Sequence, residues 1–273
     1  MSSFCTKGTA GIAVFAALLA SAVPAENKAE KRNMELVGYH DLQGRSAYQP
    51  IVHRQGNRWI AYVGHHGDNI LNPLTGKKED NGTSIVDVTD PKKPGYLAHI
   101  PGEPGLAEAG GAQMVRVCDG SELPKGDKSK VYLLRTFGNA AHEIWDVSNP
   151  ARPGLLTTIV KGLKGTHKNW WECDSGIAYL VSGIEGWRVR RMTQVYDLSD
   201  PANPVFIRNF GLPGQQAGSP GEAPADLHGP ISTGPKGNRI YFGYSTNKDG
   251  VLQIVDREKL LNGPKEPTDE NLL

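Results

Sequence analysis

The sequence predicts an all-β fold, a β-propeller of four-stranded antiparallel blades, with about four blades in this chain. One observation is a short phrase that occurs four times, each copy built around one aspartate: Asp87, Asp146, Asp197 and Asp256. These aspartates lie 59, 51 and 59 positions apart, a period typical of repeated supersecondary units. A second observation is that 33 glycines and 19 prolines make up about 19% of the 273 residues, against an average of roughly 12%. Many turns are therefore expected.

Each copy of the phrase reads as a strand followed by a turn. The copies are SIVDVTDP from Ser84, EIWDVSNP from Glu143, QVYDLSDP from Gln194 and the degraded QIVDREKL from Gln253. β-Branched and aromatic residues alternate until Asp-Pro or Asn-Pro ends the strand. In the three good copies a second proline follows three positions later and opens another apolar strand, and two further strand-like runs precede each phrase. Four antiparallel strands per repeat are the pattern of a propeller blade.

The repeat limits predict blades at about 49–101, 111–161, 166–210 and 227–261. The last unit has no clear fourth strand. We therefore expect residues 34–42, MELVGYHDL, to pair as a closing strand in that blade, which would remove an exposed sheet edge. Helical periodicity is confined to the short run from Asp256 to Leu261, and a β-sandwich is the alternative fold.

The repeated order Ile/Val, Val/Trp/Tyr, Asp, Val/Leu, Ser/Thr, Asp/Asn, Pro resembles the LVIVD-repeat family of bacterial, usually exported, β-propeller proteins. The resemblance covers residues 84–261, and the expected closing strand extends it to residue 34. The fourth copy departs from the pattern at residues 257–260, where the turn and its proline belong. Propellers of this family resemble larger rings, so the resemblance implies either a small closed ring or an incomplete larger one, and we favour the second.

The first 25 residues read as a secretory signal peptide. Lys7 precedes an apolar run from Ile12 to Val23, and the small residue Ala25 is a suitable last residue before cleavage. The run is short for a bilayer span, and a retained membrane anchor is the alternative. Residues 26–33 would then be a linker and residues 34–273 the propeller domain.

The charge balance argues against nucleic acid as a partner. The formal net charge is +1, which becomes 0 without Lys7, and no basic run supplies the electrostatic footprint that nucleic acid requires. We expect a periplasmic or secreted protein with no membrane span after signal cleavage.

Strand counting separates the two ends of the propeller. The starts of the innermost strands, the loops between second and third strands, and the links between blades share one end. That end collects histidines and long connections, and loops on a rigid scaffold are where binding usually resides. The ligand-binding candidates there are Gln49, Gln113, His142, His167, Trp171, Glu172, Trp187 and His228.

A metal site is one hypothesis for the histidine-rich end. His167 and His228 hold equivalent positions in adjacent blades and could share a copper, iron or zinc ion with His65 or His66. Gln49 and Gln113 hold the matching positions in the other blades, and an amide is a poor ligand for zinc or copper. The alternative, which we favour, is that these four polar residues cap inner strands and bind water. The sequence contains neither HExxH nor CxxC.

The recurring aspartates and two cysteines favour structural roles. A catalytic carboxylate is needed once, whereas Asp87, Asp146, Asp197 and Asp256 recur, so we expect them to accept hydrogen bonds from the turns that follow. Cys118 and Cys173 each end the first strand of adjacent blades and could pair in an oxidising compartment, two buried thiols being the alternative.

Three functions remain open at this point, one of which is a structural domain of a longer surface protein. The sequence favours a non-catalytic binding or scaffold module that recognises a protein, peptide or glycan at the cell surface. The alternative is a periplasmic metal-dependent oxidoreductase or hydrolase with Glu172 as its base. A propeller fold does not choose between them.

Overall fold

The computed structural model describes residues 32–245 and 250–264. The chain divides into two units, Met1–Leu36 and Val37–Leu273. The described part of the first unit, residues 32–36, contains no helix or strand. The predicted signal peptide and most of the predicted linker lie outside the described residues. Within the described part of the chain, no helix is long and apolar enough to cross a bilayer.

The second unit begins with a four-stranded antiparallel sheet that forms blade 1. In spatial order its strands are β1 (Tyr48–Gln55), β2 (Arg58–Gly67), β5 (Gly82–Asp87) and β6 (Gly95–Pro101). A separate hairpin, β3 (Asn69–Asn72) and β4 (Lys77–Asp80), is inserted between β2 and β5. The link that follows blade 1 contains β7 (Ala107–Ala112), which pairs with the end of β2.

Blades 2 and 3 repeat this order. Blade 2 consists of β8 (Val115–Asp119), β9 (Val131–Phe137), β10 (Ala141–Asp146) and β11 (Gly154–Lys161). The first strand of blade 3 is split into β12 (Gly165–Thr166) and β13 (Trp170–Trp171), both paired with β14. The remaining strands are β14 (Ile177–Gly183), β15 (Met192–Asp197) and β16 (Val205–Phe210).

Among the described residues, blade 4 has three strands, β17 (Leu227–Ser232), β18 (Arg239–Tyr244) and β19 (Val251–Asp256). A one-turn helix, α1 (Gly234–Gly237), joins the first two, and α2 (Arg257–Asn262) follows β19 where the other blades have a turn and a fourth strand. The helical periodicity predicted near residues 256–261 corresponds to α2. The predicted β-propeller of four antiparallel blades is confirmed.

The repeated phrase encodes the same strand pair in three blades. Asp87 faces Gly95, Asp146 faces Gly154 and Asp197 faces Val205 across the third and fourth strands. Each pair also changes register one residue before the aspartate, between residues 85 and 86, 144 and 145, and 195 and 196. A bulge of this kind bends a strand and increases its twist. The outer part of each of these blades is therefore shaped by the same few residues.

The aspartates of the phrase organise the turns that follow them. Oδ1 of Asp87 accepts the Thr89 N–H at 2.9 Å, and Oδ1 of Asp197 accepts the Ser199 N–H at 2.7 Å. The other oxygen of Asp87 accepts from Arg58 Nη2 at 2.8 Å, at the start of the second strand. Asp146 and Asp256 make matching turn bonds, to the N–H groups of Ser148 and Lys259. These carboxylates hold the ends of the strands together.

Apolar side chains pack between successive blades. Alternation along β2 sends Ile60 and Tyr62 into a cluster with Val115 and Leu133 of blade 2. Similar clusters join blade 2 to blade 3 and blade 3 to blade 4. The intervening residues of β2, including Ala61 and Val63, form a smaller cluster with Leu42 on the other face of blade 1.

The expected closing strand is not formed by the described residues. Residues 37–41 contain no strand, and β19 pairs only with β18 among the described strands. Gly38 instead approaches the Pro91 carbonyl so closely that a Cβ would collide with it, and the His40 ring stacks on Tyr96 with centroids 5.7 Å apart. A 3-10 turn at Leu42–Gly44 then leads into β1. Contacts with blade 1 hold this segment on the blade it precedes.

A disulfide joins Cys118, near the end of the first strand of blade 2, to Cys173, just after the first strand of blade 3. Changing both to alanine is expected to lower the free energy of unfolding by about 4 kcal/mol, because the bridge closes a loop of 55 residues in the unfolded chain. Urea denaturation followed by circular dichroism measures the loss, with the reduced natural protein as the matched control. Equal urea midpoints for the oxidised protein and the double variant would contradict the expected contribution.

Candidate functional site

The residues that begin the innermost strands gather around one centre. Gln113 Oε1 lies 3.1 Å from His167 Nδ1, and the rings of His167 and His228 have centroids 4.9 Å apart. Gln49 lines the same cavity as His228. The four positions, separated by more than fifty residues each in sequence, thus meet through the blade repeat.

A row of aromatic rings crosses this centre. The Tyr48 ring lies 4.7 Å from the His66 ring and 6.4 Å from the His167 ring, centroid to centroid. β1 is bulged between Tyr48 and Ile51, and Gln49 has a φ of 43°. A left-handed conformation in a residue other than glycine is costly and persists where its surroundings hold it. Here the bulge directs Tyr48 toward the rings of His66 and His167.

His167 and His228 are neutral at pH 7. Burial, followed by the nearby charge of Arg191, lowers the pKa of His167 to about 3. The pKa of His228 is lowered by burial and then by the charges of Lys168 and Arg191. Because the Gln113 amide oxygen can only accept, His167 donates from Nδ1, which leaves Nε2 as an acceptor in the neutral ring.

A cavity of about 370 Å³ opens beside this histidine pair, and we call it the mouth cavity. It is lined by Glu108, His167, Arg190, Arg191, Asp226, His228 and Ser245. Glu108 Oε2 accepts from Arg191 Nη2 at 3.1 Å, and Asp226 Oδ1 accepts the backbone N–H of Arg190 at 2.8 Å. The lining therefore combines positively charged arginine donors with negatively charged carboxylate acceptors, held in place by these bonds.

Glu108 and Arg191 set the charge of the mouth cavity. Burial acts to raise the pKa of Glu108, but hydrogen bonding to Arg191 and the Arg191 charge outweigh it, so the pKa is lowered. Arg191 is only 3% exposed, and its Nε has no hydrogen-bond partner within the described part of the chain. A buried donor without a partner is costly, and a bound ligand or water would satisfy it.

A second cavity, of about 240 Å³, is lined by residues of all four blades, and we call it the central cavity. The inner strands and their flanking residues from all four blades line it: Gln49, Met114, Arg116, Lys168, Trp170, His228, Gly229, Pro230 and Ile231. The Arg116 guanidinium lies 4.8 Å from the centroid of the Trp170 ring, and its Nε donates to the Asn169 carbonyl at 3.1 Å. His228 belongs to both cavities and connects them.

The structure directs one of the predicted metal ligands, His65, away from the pair formed by His167 and His228. His65 is fully buried, with Nδ1 bonded to the Ser46 carbonyl and Nε2 2.7 Å from Ser84 Oγ, so both ring nitrogens are occupied away from His167 and His228. His66 contacts the Tyr48 ring instead. Residues 32–245 and 250–264 contain no group of three or more His, Cys, Asp or Glu side chains placed to hold a metal ion. The positive charges of Arg191 and Lys168 also oppose a cation at the histidine pair.

His142 does not face either cavity, contrary to the prediction. It is fully buried, its Nε2 lies 3.1 Å from the Val181 carbonyl, and its Nδ1 faces the Asn169 amide at 3.1 Å. Burial lowers its pKa to about 3. Although the strand start lies at the histidine-rich end, the side chain of His142 packs between blades 2 and 3.

The two tryptophans of β13 point to opposite sides, and Trp171, the predicted candidate, is not the one that lines a cavity. Trp171 is buried in the cluster between blades 2 and 3, with its indole N–H donated to the Gly176 carbonyl at 3.3 Å. Trp170 lines the central cavity. Strand alternation required this separation, but it did not specify which face was inward.

Glu172 is a structural residue rather than a ligand anchor or base. Its carboxylate accepts from Arg257 Nη2 at 2.8 Å and from the Tyr179 hydroxyl at 2.9 Å, and further bonds come from Ser175 and Ser232. Both Glu172 and Arg257 are buried. This network joins blade 3 to the start of α2, at the place where the fourth phrase loses its pattern.

Trp187 supports a loop beside the mouth cavity and is not among the residues that line it. Its ring lies against Gly211, where a Cβ would come within 2.9 Å of the indole. Arg188 Nη1 donates to the Gly214 carbonyl at 2.9 Å, and Gln215 Nε2 to the Ala225 carbonyl at 2.7 Å. These contacts join the loop after β14 to the long link between blades 3 and 4.

Several lining residues were not predicted from the sequence. Glu108 lies on β7 in the link after blade 1, and Arg190, Arg191 and Asp226 lie in connections between strands. Arg116 and Lys168 lie on or beside inner strands. The paired arginines directly before the third strand of blade 3 carried a signal, because that connection reaches the histidine-rich end. Neither the histidine spacing nor the repeat positions mark these arginines.

No family model and no curated protein matches this sequence. The fold is similar to several solved structures at low sequence identity. Sqt1 from Chaetomium thermophilum has a TM-score of 0.50 at 12% identity, over 88% of this chain and 51% of that one.

Two further similar structures have lower scores. The beta-1,2-mannobiose phosphorylase from Listeria innocua has a TM-score of 0.41 at 13% identity, over 80% of this chain and 60% of that one. The periplasmic gluconolactonase of Pseudomonas aeruginosa has a TM-score of 0.42 at 11% identity, over 77% of this chain and 56% of that one. This chain therefore spans about half to three fifths of their lengths, and the likeness concerns the fold alone.

Proposed function

We propose that this protein is an exported propeller of the LVIVD-repeat type that binds a glycan in the mouth cavity without transforming it. The observation that carries the proposal is the lining of that cavity, which consists of charged or hydrogen-bonding side chains throughout. A ligand that fits such a surface offers many donors and acceptors in a small volume. Saccharide hydroxyls do so, since each can donate one hydrogen bond and accept others.

A glycan fits these residues better than a protein or peptide partner does. Protein interfaces depend on buried aromatic and apolar anchors at their centre. The mouth cavity offers instead the Glu108 and Asp226 carboxylates as acceptors, Arg190 and Arg191 as donors, and a neutral histidine pair.

Binding is proposed rather than catalysis because the carboxylates considered as bases have structural partners. Glu172 is buried against Arg257, and the repeated aspartates hold the turns that follow them. A general base must reach the proton that it abstracts. These groups are committed elsewhere.

The proposed location is the periplasm or the extracellular space. The signal-like N-terminal sequence supports export, and a disulfide such as that between Cys118 and Cys173 persists in oxidising compartments.

A glycan-array screen followed by calorimetry tests the proposal. The natural protein is expected to retain at least one glycan class, and His228→Ala and Glu108→Gln are each expected to weaken binding by about tenfold or more, since each removes a polar partner from the cavity. His53→Ala is the matched control. His53 bonds to Asp119 at 3.1 Å, outside both cavities, so this variant is expected to bind like the natural protein.

Retention of no glycan class by the folded natural protein would overturn the proposed function. Equal weakening in all three variants would also count against the mouth cavity, because it would indicate a general effect on the fold.

A further inference from the structure

Two cations in the central cavity have no acidic partner. The terminal nitrogens of Arg116 and the Lys168 Nζ have neither a carboxylate within salt-bridge distance nor a hydrogen-bond partner within the described residues. Both residues are half-buried and line the same cavity. The mouth cavity differs, because its arginines lie beside Glu108 and Asp226.

Holding these charges in place has a free-energy cost. Burial lowers the pKa of Arg116, and it lowers the pKa of Lys168 against the opposing effect of Glu108. The guanidinium of Arg116 stacks on Trp170, and the Lys168 ammonium lies 5.9 Å from the centroid of the Tyr48 ring. Contacts with aromatic faces offset part of the cost while leaving hydrogen-bond donors available. The cavity is thus electropositive before any ligand binds.

The position of these cations relates them to the proposed sugar site. His228 lines both cavities, so a group placed among Arg116, Lys168 and Gln49 would be continuous with one in the mouth cavity. Trp170 helps to position the first of these cations, because the Arg116 guanidinium lies over its ring. The mouth cavity is suited to hydroxyls and the central cavity to negative charge.

We propose that the central cavity is an anion subsite, in which Arg116, held on the Trp170 ring, and Lys168 bind the carboxylate or sulfate of an acidic sugar. This inference deepens the proposed function and rests on it for the identity of the ligand as a saccharide. The anion would receive charge-assisted hydrogen bonds from the terminal nitrogens of Arg116 and from Lys168 Nζ, which are stronger than bonds between neutral groups.

Calorimetry with matched disaccharides tests the inference. The probes are digalacturonate, its neutral counterpart galactobiose, and sulfated galactobiose. At least one charged form is expected to bind the natural protein about tenfold more tightly than the neutral one. Lys168→Met keeps most of the apolar stem and Arg116→Gln removes the second cation, and each is expected to reduce the preference to about threefold or less. Lys164→Met, at an exposed position in the same blade, is expected to keep it.

Equal binding of charged and neutral sugars, or a preference unchanged in Lys168→Met and Arg116→Gln, would overturn the anion subsite. The charged sugar that is preferred distinguishes carboxylate from sulfate. Thermal melting of each variant shows whether the fold is intact, and Lys168→Met serves as the test if Arg116→Gln does not fold.

A second measurement separates this inference from the proposed function. Sodium acetate and sodium sulfate are titrated separately while the ring protons of His228 are followed by NMR. Because Lys168 and Arg191 lower the pKa of His228, an anion bound beside Lys168 is expected to raise it in the natural protein and not in Lys168→Met. A rise in the His228 pKa without any sugar binding would support the anion subsite and overturn the proposal that the ligand is a glycan. Its absence would overturn the anion subsite even if neutral sugars bind.

Discussion

Replacing Arg257 by leucine is expected to lower the free energy of unfolding by about 3–5 kcal/mol, the range for breaking one partner out of a buried ion pair. Arg257 donates to Glu172 from Nε at 3.1 Å and from Nη2 at 2.8 Å, and the two side chains are only 4% and 2% exposed. Leucine would leave the Glu172 carboxylate buried with hydroxyl partners alone. Urea denaturation monitored by circular dichroism measures the change.

The repeat itself supplies the control for this prediction. Aligning Cys173 with Cys118 places Glu172 at the position of Val117, and aligning the phrases places Arg257 at the positions of Val147 and Leu198. The double variant Glu172→Val with Arg257→Leu therefore restores an apolar pair, and we expect it to recover at least half of the lost stability. Tyr179 and Ser232 would lose an acceptor, which keeps the double variant below the natural protein. A double variant as unstable as Arg257→Leu would contradict the proposed coupling.

A similar loss, about 3–5 kcal/mol, is expected when Arg135 is replaced by methionine. Arg135 is 1% exposed and extends from β9 of blade 2 to the Ile100 and Pro101 carbonyls of blade 1, at 3.0 and 2.7 Å. Its Nε donates to Glu143 Oε2 at 3.0 Å. Methionine preserves the apolar stem but removes all three bonds and leaves Glu143 with the Trp145 indole N–H as its partner. The free energy of unfolding from urea titration is the readout.

Arg135→Lys tests why an arginine is required. A single ammonium cannot reproduce the planar set of donors that contacts two carbonyls and a carboxylate together. We expect the loss in free energy of unfolding for Arg135→Lys to exceed half of the loss for Arg135→Met. If the Arg135→Lys variant has the same urea midpoint as the natural protein, a positive charge alone is sufficient and the geometric explanation is wrong.

Much of the fold could be predicted because the repeat reports on local physics. The alternation of apolar residues before Asp87 or Asp146, and the Asp-Pro or Asn-Pro that follows, specify a strand and its turn within one short segment. Once those units are counted, the starts of the inner strands must meet. This is why Gln113, His167 and His228 could be placed near one another without a structure.

The errors share one physical cause, which is that the face of a strand and the partner of a buried group depend on distant residues. Trp170 and Trp171 alternate, but neighbouring blades decide which one is inward. His142 is at the expected end of its strand, yet it packs between blades. The predicted closing strand is not formed because residues 37–42 pack against blade 1 through His40 and Leu42. No local sequence pattern indicates these contacts.

The sequence by itself predicted the all-β class, the strand and turn of each repeat, and the turn bonds of the aspartates, because each follows from a repeated local pattern. Only the tertiary structure decided that Glu172 pairs with Arg257, that both ring nitrogens of His65 are bonded away from His167 and His228, and that Arg116 and Lys168 share a cavity without a carboxylate of the described residues within salt-bridge distance. Those facts are relations between side chains far apart in the chain, and burial and charge acquire their meaning when the blades pack.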